Sequence, residues 1–498
     1  MVAHARNPLT FRETDEADNL TATYVYSKQN TPSARKRDAL TGRVDVMDPS
    51  STLWTWSPKP LIRSLSDVFL PSGYPQSVSE DYIRYQIFDS LQAFCSSIAG
   101  LLSSRAVLQG VGVGDANASP SSALLLHVLQ DSSGRVATIL FAHRVGTALE
   151  PECKTYRLAA DVFNDIAMIM DTLSPMVPAG VMRVGILSTA GILRALCGVA
   201  GGSSKASLSA HFAKWGNLAE LNAKDSSQET IISLFGMLVG SVVVSRVTGF
   251  KTTWAALLIL LAAHLSLNYA AVRAVQMTSL NRQRANIIFS TLLESDPAID
   301  IERLRSGEVP KSKAKPDTSS WKILTPAQVS REERIFHRDG ALQWNTPSQT
   351  RNLGSASIGV SLASFFKQAQ ASQHTSRGSL QTNIPMPDLT TLFANESYIL
   401  YLHPNGTEWH ASILLKSNCT VHSQLKAWTH GLLAARVLST TTSKSGTEPT
   451  PEVLSVVTNT LSLLNSQFSS YTDALEEAGW NTTIAALETR SGRRVTFT

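Results

Sequence analysis

The sequence predicts a mainly α-helical fold, in which a membrane-associated helical bundle is followed by a small α+β C-terminal domain. Two observations predict the bundle. Between residues 66 and 305 nearly every segment has apolar residues at helical spacing. Residues 252–272 form a run of 21 residues without a formal charge. As a helix, this run would span about 30 Å, the thickness of a hydrocarbon core.

A third observation predicts the α+β domain. Strand-like runs at 398–403 and 408–416 flank Asn405-Gly406, a pair of residues typical of a hairpin turn. Two helical stretches follow, at 421–438 and 451–476. The four parts predicted along the chain are a flexible N-terminal arm, a helical core, a linker with a low-complexity insert, and the α+β domain, at 1–65, 66–305, 306–384 and 385–498.

Composition limits the class of protein. Charged residues make up 17% of the 498 residues, below the roughly 25% of soluble chains. The net charge of +5 is spread along the chain, and its one dense basic run, 311–315, lies between prolines as in a linker. We therefore expect a lipid membrane as a partner and no nucleic acid.

Cysteine spacing and the N-terminus give no sign of a metal site or of secretion. The four cysteines form no CxxC pair and have no histidine at zinc spacing. The first 45 residues lack an apolar signal stretch and contain acidic residues that are unusual in a transit peptide. We expect an intracellular membrane protein without a bound metal, in an organelle that the sequence does not identify.

Two transmembrane helices are predicted, at about 230–247 and 252–272. Gly236 and Gly240 form a GxxxG pattern in the first, which permits close helix contact in lipid. The alternative is a buried hairpin in a soluble bundle, which three polar residues favour: Arg246, His264 and Asn268.

The polar stretch before these helices has two interpretations. Ser226 and Glu229 have the spacing of a capping box, and Asp225 and Glu229 suit the positive end of a helix dipole. This polarity is then only the start of a helix. Capping leaves three nearby residues unexplained, and we predict that they face a cavity: His211, Asn217 and Asn222.

An acidic stripe follows one face of the helix predicted at 155–173. Asp161 and Asp165 are like charges four residues apart, which is unfavourable without a cation. The stripe is either the lining of a ligand path or a solvated helix face. The ligand-path candidates on it and on the helices around it are Asp89, Arg105, Asp161, Asn164, Asp165, Arg183, Arg194 and Lys205.

A glycine-rich segment precedes the helix that Ser119-Pro120 begins. Gly110, Gly112 and Gly114 leave backbone amides open beside a helix N-terminus, where an anion is favoured. A flexible turn between helices is the simpler alternative. No nucleophile–base pair, metal set or reactive cysteine is recognisable, so we predict no catalytic residues and no enzyme activity.

Long blocks of the sequence resemble one family. FLPSGYPQSVSEDYIRYQIFDSLQAFCSSIAGLLSSR, YRLAADVFNDIAMIMDTLSP and HFAKWGNLAELNAKDSSQETIISLFGMLVGS look like the root UV-B sensitive family, also called the vitamin B6 photoprotection and homeostasis domain family. The resemblance is close over residues 68–305 and looser in the C-terminal domain. It implies a membrane-associated eukaryotic protein, linked in plants to ultraviolet-B sensing and vitamin B6 balance, with two members acting as partners. It supplies no catalytic residues.

These observations lead to one functional hypothesis and two alternatives. The protein would bind or transport pyridoxal phosphate or another B6 vitamer, although no cofactor is established. Polar stripes of helices 80–106, 155–173 and 205–229 would meet inside the bundle. One of four cations would neutralise a phosphate or carboxylate (Arg105, Arg183, Arg194 or Lys205), and Asp161, Asn164 or Asp165 would hold the opposite end. The alternatives are a scaffold that recruits a homologous partner or a pyridoxal-phosphate enzyme, and an enzyme acting on a vitamer.

Overall fold

The structure is a computed structural model. It describes residues 9–14, 20–28, 42–47, 68–111, 120–307, 318–346, 349–368, 384–440 and 450–496. Within these ranges a helical N-terminal bundle is followed by an α+β region with a mixed sheet, which confirms the predicted fold class.

Six long helices form the bundle. They are α1 (Tyr82–Val111), α2 (Pro120–Val145), α3 (Cys153–Leu173), α4 (Val181–Phe212), α5 (Leu218–Arg246) and α6 (Phe250–Ala274). Helix α1 packs against α5 and α6, α3 packs along α4, and α2 packs against α4 and contacts α3 through Phe141. The contact of α3 with α1 and α6 closes the centre of the bundle.

Four helices in the described part of the chain are long and apolar enough to cross a membrane: α1, α4, α5 and α6. The prediction had only α5 and α6. Charges at Asp89 in α1 and Arg194 in α4 interrupt the apolar runs that a sequence search relies on. Both side chains form ion pairs with α3, Asp89 with Arg157 and Arg194 with Asp171, so neither charge stands alone.

The GxxxG pattern lies at the contact between α5 and α1. A Cβ atom on Gly236 would be 2.7 Å from Cβ of Ser97, and one on Gly240 would be 2.7 Å from a methyl carbon of Leu101. Any side chain at these positions would therefore push the two helices apart.

Replacing Gly236 and Gly240 by leucine is expected to lower the melting temperature of the detergent-solubilised protein, because overpacking costs about 1–3 kcal/mol per site. Gly198→Leu in α4 is the matched control, since a Cβ there meets no atom within 4 Å. Equal melting temperatures for the double variant and the control would contradict the α1–α5 contact.

The predicted capping box at Ser226 is wrong. Helix α5 begins at Leu218, after Asn217, so Ser226 lies inside the helix. The polar residues that suggested a helix start instead form one face of the first turns, which binds α4 and the segment before α1. Glu220, for example, accepts hydrogen bonds from the backbone and hydroxyl of Ser72.

The N-terminal region differs from the predicted flexible arm. Three strands, β1 (Leu9–Thr14), β2 (Leu20–Lys28) and β3 (Gly42–Met47), form an antiparallel sheet in that order. The register places Phe11 opposite Tyr24. Aromatic cross-strand pairs stabilise a sheet. The β-branched and aromatic residues of β2 are the local sequence signal for this sheet.

The C-terminal region combines a sheet with seven helices among the described residues. These elements are α7 (Arg282–Ser295), α8 (Ile301–Ser306), α9 (Pro326–Glu332), β4 (Ala341–Asn345), β5 (Thr350–Ile358), α10 (Leu362–Gln368), α11 (Met386–Leu392), β6 (Tyr398–Asn405), β7 (Glu408–Lys416), α12 (Val421–Leu438), α13 (Thr450–Glu477) and β8 (Arg494–Val495). The sheet order is β4-β5-β7-β6, with β5 parallel to β7, and β8 also pairs with β7.

The predicted boundaries of this region are wrong in two places. Helix α7 was assigned to the bundle, yet its apolar face belongs to the core of the sheet region, with Phe289 fully buried there. Strand β5 lies in the predicted insert, because its serines and glycine resemble a loop. Gly354, at φ +137°, would place a Cβ 1.9 Å from the carbonyl oxygen of Trp409. Glycine is therefore required there for the strands to meet.

A buried triad of charges joins the bundle to the C-terminal region. Glu333 binds Lys154 of α3 at 2.6 Å and Arg284 of α7 at 2.7 Å, and all three side chains are at most 5% exposed. Burial alone would raise the pKa of Glu333, but the two cations outweigh it and lower the pKa to about 2. The carboxylate therefore stays ionised at neutral pH and fixes the two regions together.

Candidate functional site

A buried polar network lies at the centre of the bundle, between α1, α3 and α6. We call it the bundle network, and its members are Asp89, Arg157, Asp161, Asp165, His264 and Asn268. Arg157 donates to Asp89 at 2.5 Å, and the amide of Asn268 donates to Asp161. The imidazole of His264 lies between two carboxylates, 2.8 Å from Asp165 and 3.5 Å from Asp161.

Helical spacing explains why these side chains meet. Arg157, Asp161 and Asp165 are four residues apart in turn, so they form one stripe along α3. His264 and Asn268 have the same spacing on α6 and face that stripe. The acidic stripe is therefore a buried contact face, and the solvated-face alternative is wrong.

The bundle network carries more negative than positive charge. Three carboxylates face one guanidinium and one imidazole, so a single proton on His264 does not balance them. Within the described residues, Oδ2 of Asp165 and Oδ1 of Asn268 are buried without a hydrogen-bond partner. Buried acceptors of this kind favour a proton, a cation or a hydrogen-bond donor.

A second polar cluster connects α1, α4 and α5. Lys205 lies 2.7 Å from Asp225 and 2.6 Å from Glu229, and Gln86 donates to Asp225 at 2.7 Å. Of the three polar stripes that we expected to meet, the one on α1 contacts both others, through Asp89 with Arg157 of α3 and through Gln86 with Asp225 of α5. Lys205, however, is paired with two carboxylates, which leaves it poorly placed to neutralise a ligand anion.

The three arginines predicted to neutralise a ligand anion lie outside the bundle network. The guanidinium of Arg105 donates to the carbonyls of Val244 and Val247 at the end of α5. Arg183 donates to the carbonyls of Gly110 and Val177, and Arg194 pairs with Asp171. Because the last carbonyls of a helix lack partners in the helix, arginine side chains satisfy them. These contacts correct the prediction.

The remaining predicted residues are separate from one another. His211 binds Asp81 at 3.0 Å, and Asn164 is 3.4 Å from the hydroxyl of Ser96. Asn217 precedes α5 with both of its amide atoms buried and unpartnered, and Asn222 is half-buried on that helix. The anion-loop prediction lies largely outside the described residues: Gly112 and Gly114 are not described, and Gly110 lies in the last turn of α1.

His264 and Asn268 are functional candidates that the sequence analysis did not name as site residues. It used them only as evidence against a membrane helix. Their spacing of four residues in an otherwise apolar run was the signal that they face one partner. In the part of the chain that the structure describes, no group of three or more histidine, cysteine or acidic side chains is placed to hold a metal ion.

Comparison with known proteins identifies the family. Residues 55–296 match the vitamin B6 photo-protection and homoeostasis domain, and residues 380–493 match the C-terminal domain of root UVB sensitive proteins. No solved structure matches the chain.

Two of the similar proteins are RUS family member 1 of Dictyostelium discoideum, 37% identical over 64% of this chain, and root UVB sensitive 3 of Arabidopsis thaliana, 35% identical over 49%. These matches cover 54% and 56% of those proteins. Root UVB sensitive 2, chloroplastic, of Arabidopsis thaliana is 24% identical over 85% of this chain and 83% of its own length. With both family domains matched in order along its length, the chain belongs to the root UV-B sensitive family.

Proposed function

We propose that the protein is an intracellular membrane protein that binds or transports a B6 vitamer or a related metabolite at the bundle network. The observation that carries this proposal is a set of ionisable side chains buried between α3 and two helices that are long and apolar enough to cross a membrane, α1 and α6. Ionisable groups inside such helices are costly, and they typically mark the path of a substrate or proton.

The outer surface of the bundle supports the membrane part of the proposal. Helices α5 and α6 turn large apolar side chains outward, among them Phe235, which is 56% exposed, and Ile259, which is 70% exposed. The charges of α5 lie in its first half and at Arg246, and those of α6 lie near its ends. Lipid would cover this apolar surface, as water does not favour contiguous apolar patches of this kind.

The charge of the bundle network selects which end of a ligand it would hold. Because carboxylates outnumber cations, the network favours a protonated ring nitrogen or an amine, as in a pyridine vitamer. Oδ2 of Asp165 has no hydrogen-bond partner among the described residues, so it can accept a hydrogen bond from this N–H group. The phosphate or carboxylate end of a ligand would have to be held elsewhere.

Asp161→Asn/Asp165→Asn is expected to weaken vitamer binding about ten- to a hundredfold, because the one charge-assisted hydrogen bond to the ligand that is lost, at Asp165, is worth about 1.5–3 kcal/mol. The measurement is equilibrium binding of pyridoxal, pyridoxamine and pyridoxal phosphate to detergent-purified protein. Asp131→Asn/Asp473→Asn, at two exposed positions, is the control of equal charge. If both double variants still bind a vitamer saturably and with the affinity of wild type, the bundle network is not the binding site.

A scaffold is the second candidate function, and helix α2 favours it. Leu124, Ile139 and Leu140 on α2 are between 62% and 68% exposed, while Asp131 and Arg135 interrupt the same helix with charges. An apolar surface broken by charges suits a protein partner, such as a homologous family member, better than lipid.

Two results together would favour the scaffold. The well-folded protein would bind no vitamer, and its mass in detergent would show a complex that the Leu140→Glu variant does not form. Deleting residues 385–498 is a poor test of it, because the core of that region is shared with α7.

A further inference from the structure

A cleft rich in arginine opens beside the C-terminal sheet. We call it the arginine cleft, and its volume is about 520 Å³. The end of β5 and the loop before α10 line it, and five of its lining residues are serines: Ser355, Ser357, Ser361, Ser364 and Ser491. Its cationic lining residues are Arg282, Arg338, Arg490 and Arg493.

The arginine cleft has a net positive charge. Asp339 is the one carboxylate among its described lining residues, and it pairs with Arg282 at 2.6 Å. The other three arginines are exposed, and no carboxylate pairs with their guanidinium groups within the described residues. Three unpaired guanidinium groups on one concave surface repel one another, and an anion would relieve that repulsion.

A second chamber of about 310 Å³ lies next to the arginine cleft, and residues of the bundle, among them Tyr156, line it. The two chambers share Asp339 and Arg490. In the second chamber, Oε1 of Glu152 is buried without a partner among the described residues, and His337 lies 3.8 Å from the other oxygen. Burial raises the pKa of Glu152 to about 7. The second chamber therefore offers a weakly acidic group that exchanges a proton near neutral pH.

We propose that the arginine cleft binds the phosphate of a small phosphate monoester, whose remaining part extends into the second chamber and donates a hydrogen bond to Glu152. Arginine presents a planar fork of donors that matches phosphate oxygens. The combined volume suits a metabolite-sized ligand. This site is separate from the bundle network, so the inference does not rest on the proposed function.

The test is a calorimetric titration of the detergent-purified full chain with inorganic phosphate and with glycerol 3-phosphate. Arg490→Gln/Arg493→Gln is expected to weaken both affinities about tenfold or more, because charge-assisted contacts are lost. Arg331→Gln/Arg334→Gln removes two exposed arginines outside the arginine cleft and is expected to leave both affinities unchanged. Both pairs of substitutions lie at exposed positions, so we expect the fold to be retained.

The source of the phosphate is distinguished by a second titration with phosphatidylcholine vesicles, with and without phosphatidic acid. If wild type binds glycerol 3-phosphate and Arg490→Gln/Arg493→Gln (the cleft variant) does not, the ligand of the cleft is a free metabolite. Binding only to vesicles with phosphatidic acid, again lost in the cleft variant, assigns a lipid headgroup. The proposal is overturned if neither probe binds saturably, or if the cleft variant and the control bind equally.

Discussion

Arg157→Met is expected to destabilise the bundle by about 3–5 kcal/mol, the cost of leaving a buried charge without its partner. Arg157 is the one guanidinium in the bundle network, and it lies 2.5 Å from Asp89. Methionine fills a similar volume but leaves Asp89, Asp161 and Asp165 without a guanidinium among them. The expected result is a large fall in the yield and melting temperature of the detergent-solubilised protein.

A compensating variant separates lost charge from lost packing. Asp89→Asn/Arg157→Met removes one charge of each sign, so it is expected to recover a large part of the stability that Arg157→Met loses. Arg135→Met is the control, because that side chain is 77% exposed and its carboxylate partner among the described residues is the exposed Asp131. If Arg157→Met has the same melting temperature as Arg135→Met, the ion pair does not hold α1 against α3.

Glu333→Gln is expected to have a similar effect at the contact between the bundle and the C-terminal region. The substitution leaves Lys154 and Arg284 buried without a carboxylate. The pKa of Glu333 is about 2 against an ordinary value of 4.5, which corresponds to about 3 kcal/mol of stability at neutral pH. Glu332→Gln is the matched control, since the neighbouring side chain is exposed.

The pH dependence of this effect has a defined sign. Because the pKa of Glu333 is lower in the folded than in the unfolded protein, its contribution is complete above about pH 4.5. The contribution is lost as the pH falls from about 4.5 towards 2. The denaturant midpoints of wild type and Glu333→Gln, measured by tryptophan fluorescence, should therefore differ most at pH 7. The two midpoints should become equal as the pH is lowered. A constant difference over that range would contradict the assigned ion pairs.

Local patterns in the sequence predict several elements of the fold closely. Strands β6 and β7 with their turn at Gly406, and helices α12 and α13, lie within one or two residues of their predicted positions. The strands are short apolar runs on either side of Asn405-Gly406, and the helices are longer stretches rich in apolar residues. The residues within each of these segments are sufficient to predict the element, because the signal lies in neighbours along the chain.

The partners of the buried charges are a different matter. The stripe on α3 is visible in the sequence, but nothing local says that His264 and Asn268 face it from about a hundred residues away. For the same reason, Arg105 and Arg183, which were assigned to a ligand, proved to be bound to backbone carbonyls, and Arg194 to Asp171. Pairing across the bundle depends on how helices pack, and one sequence does not contain that information in any local period.

By itself, the sequence determined that this chain is mainly helical, has an α+β C-terminal region and belongs to its family, because periodicity and long ordered blocks are properties of the chain. Only the tertiary structure decided which charges meet. It joined α7 and β5 to the C-terminal core. It also brought Arg490 from the end of the chain beside Glu152 and Asp339. Buried charges are stable only with partners in space, so these sites exist only once distant segments have packed together.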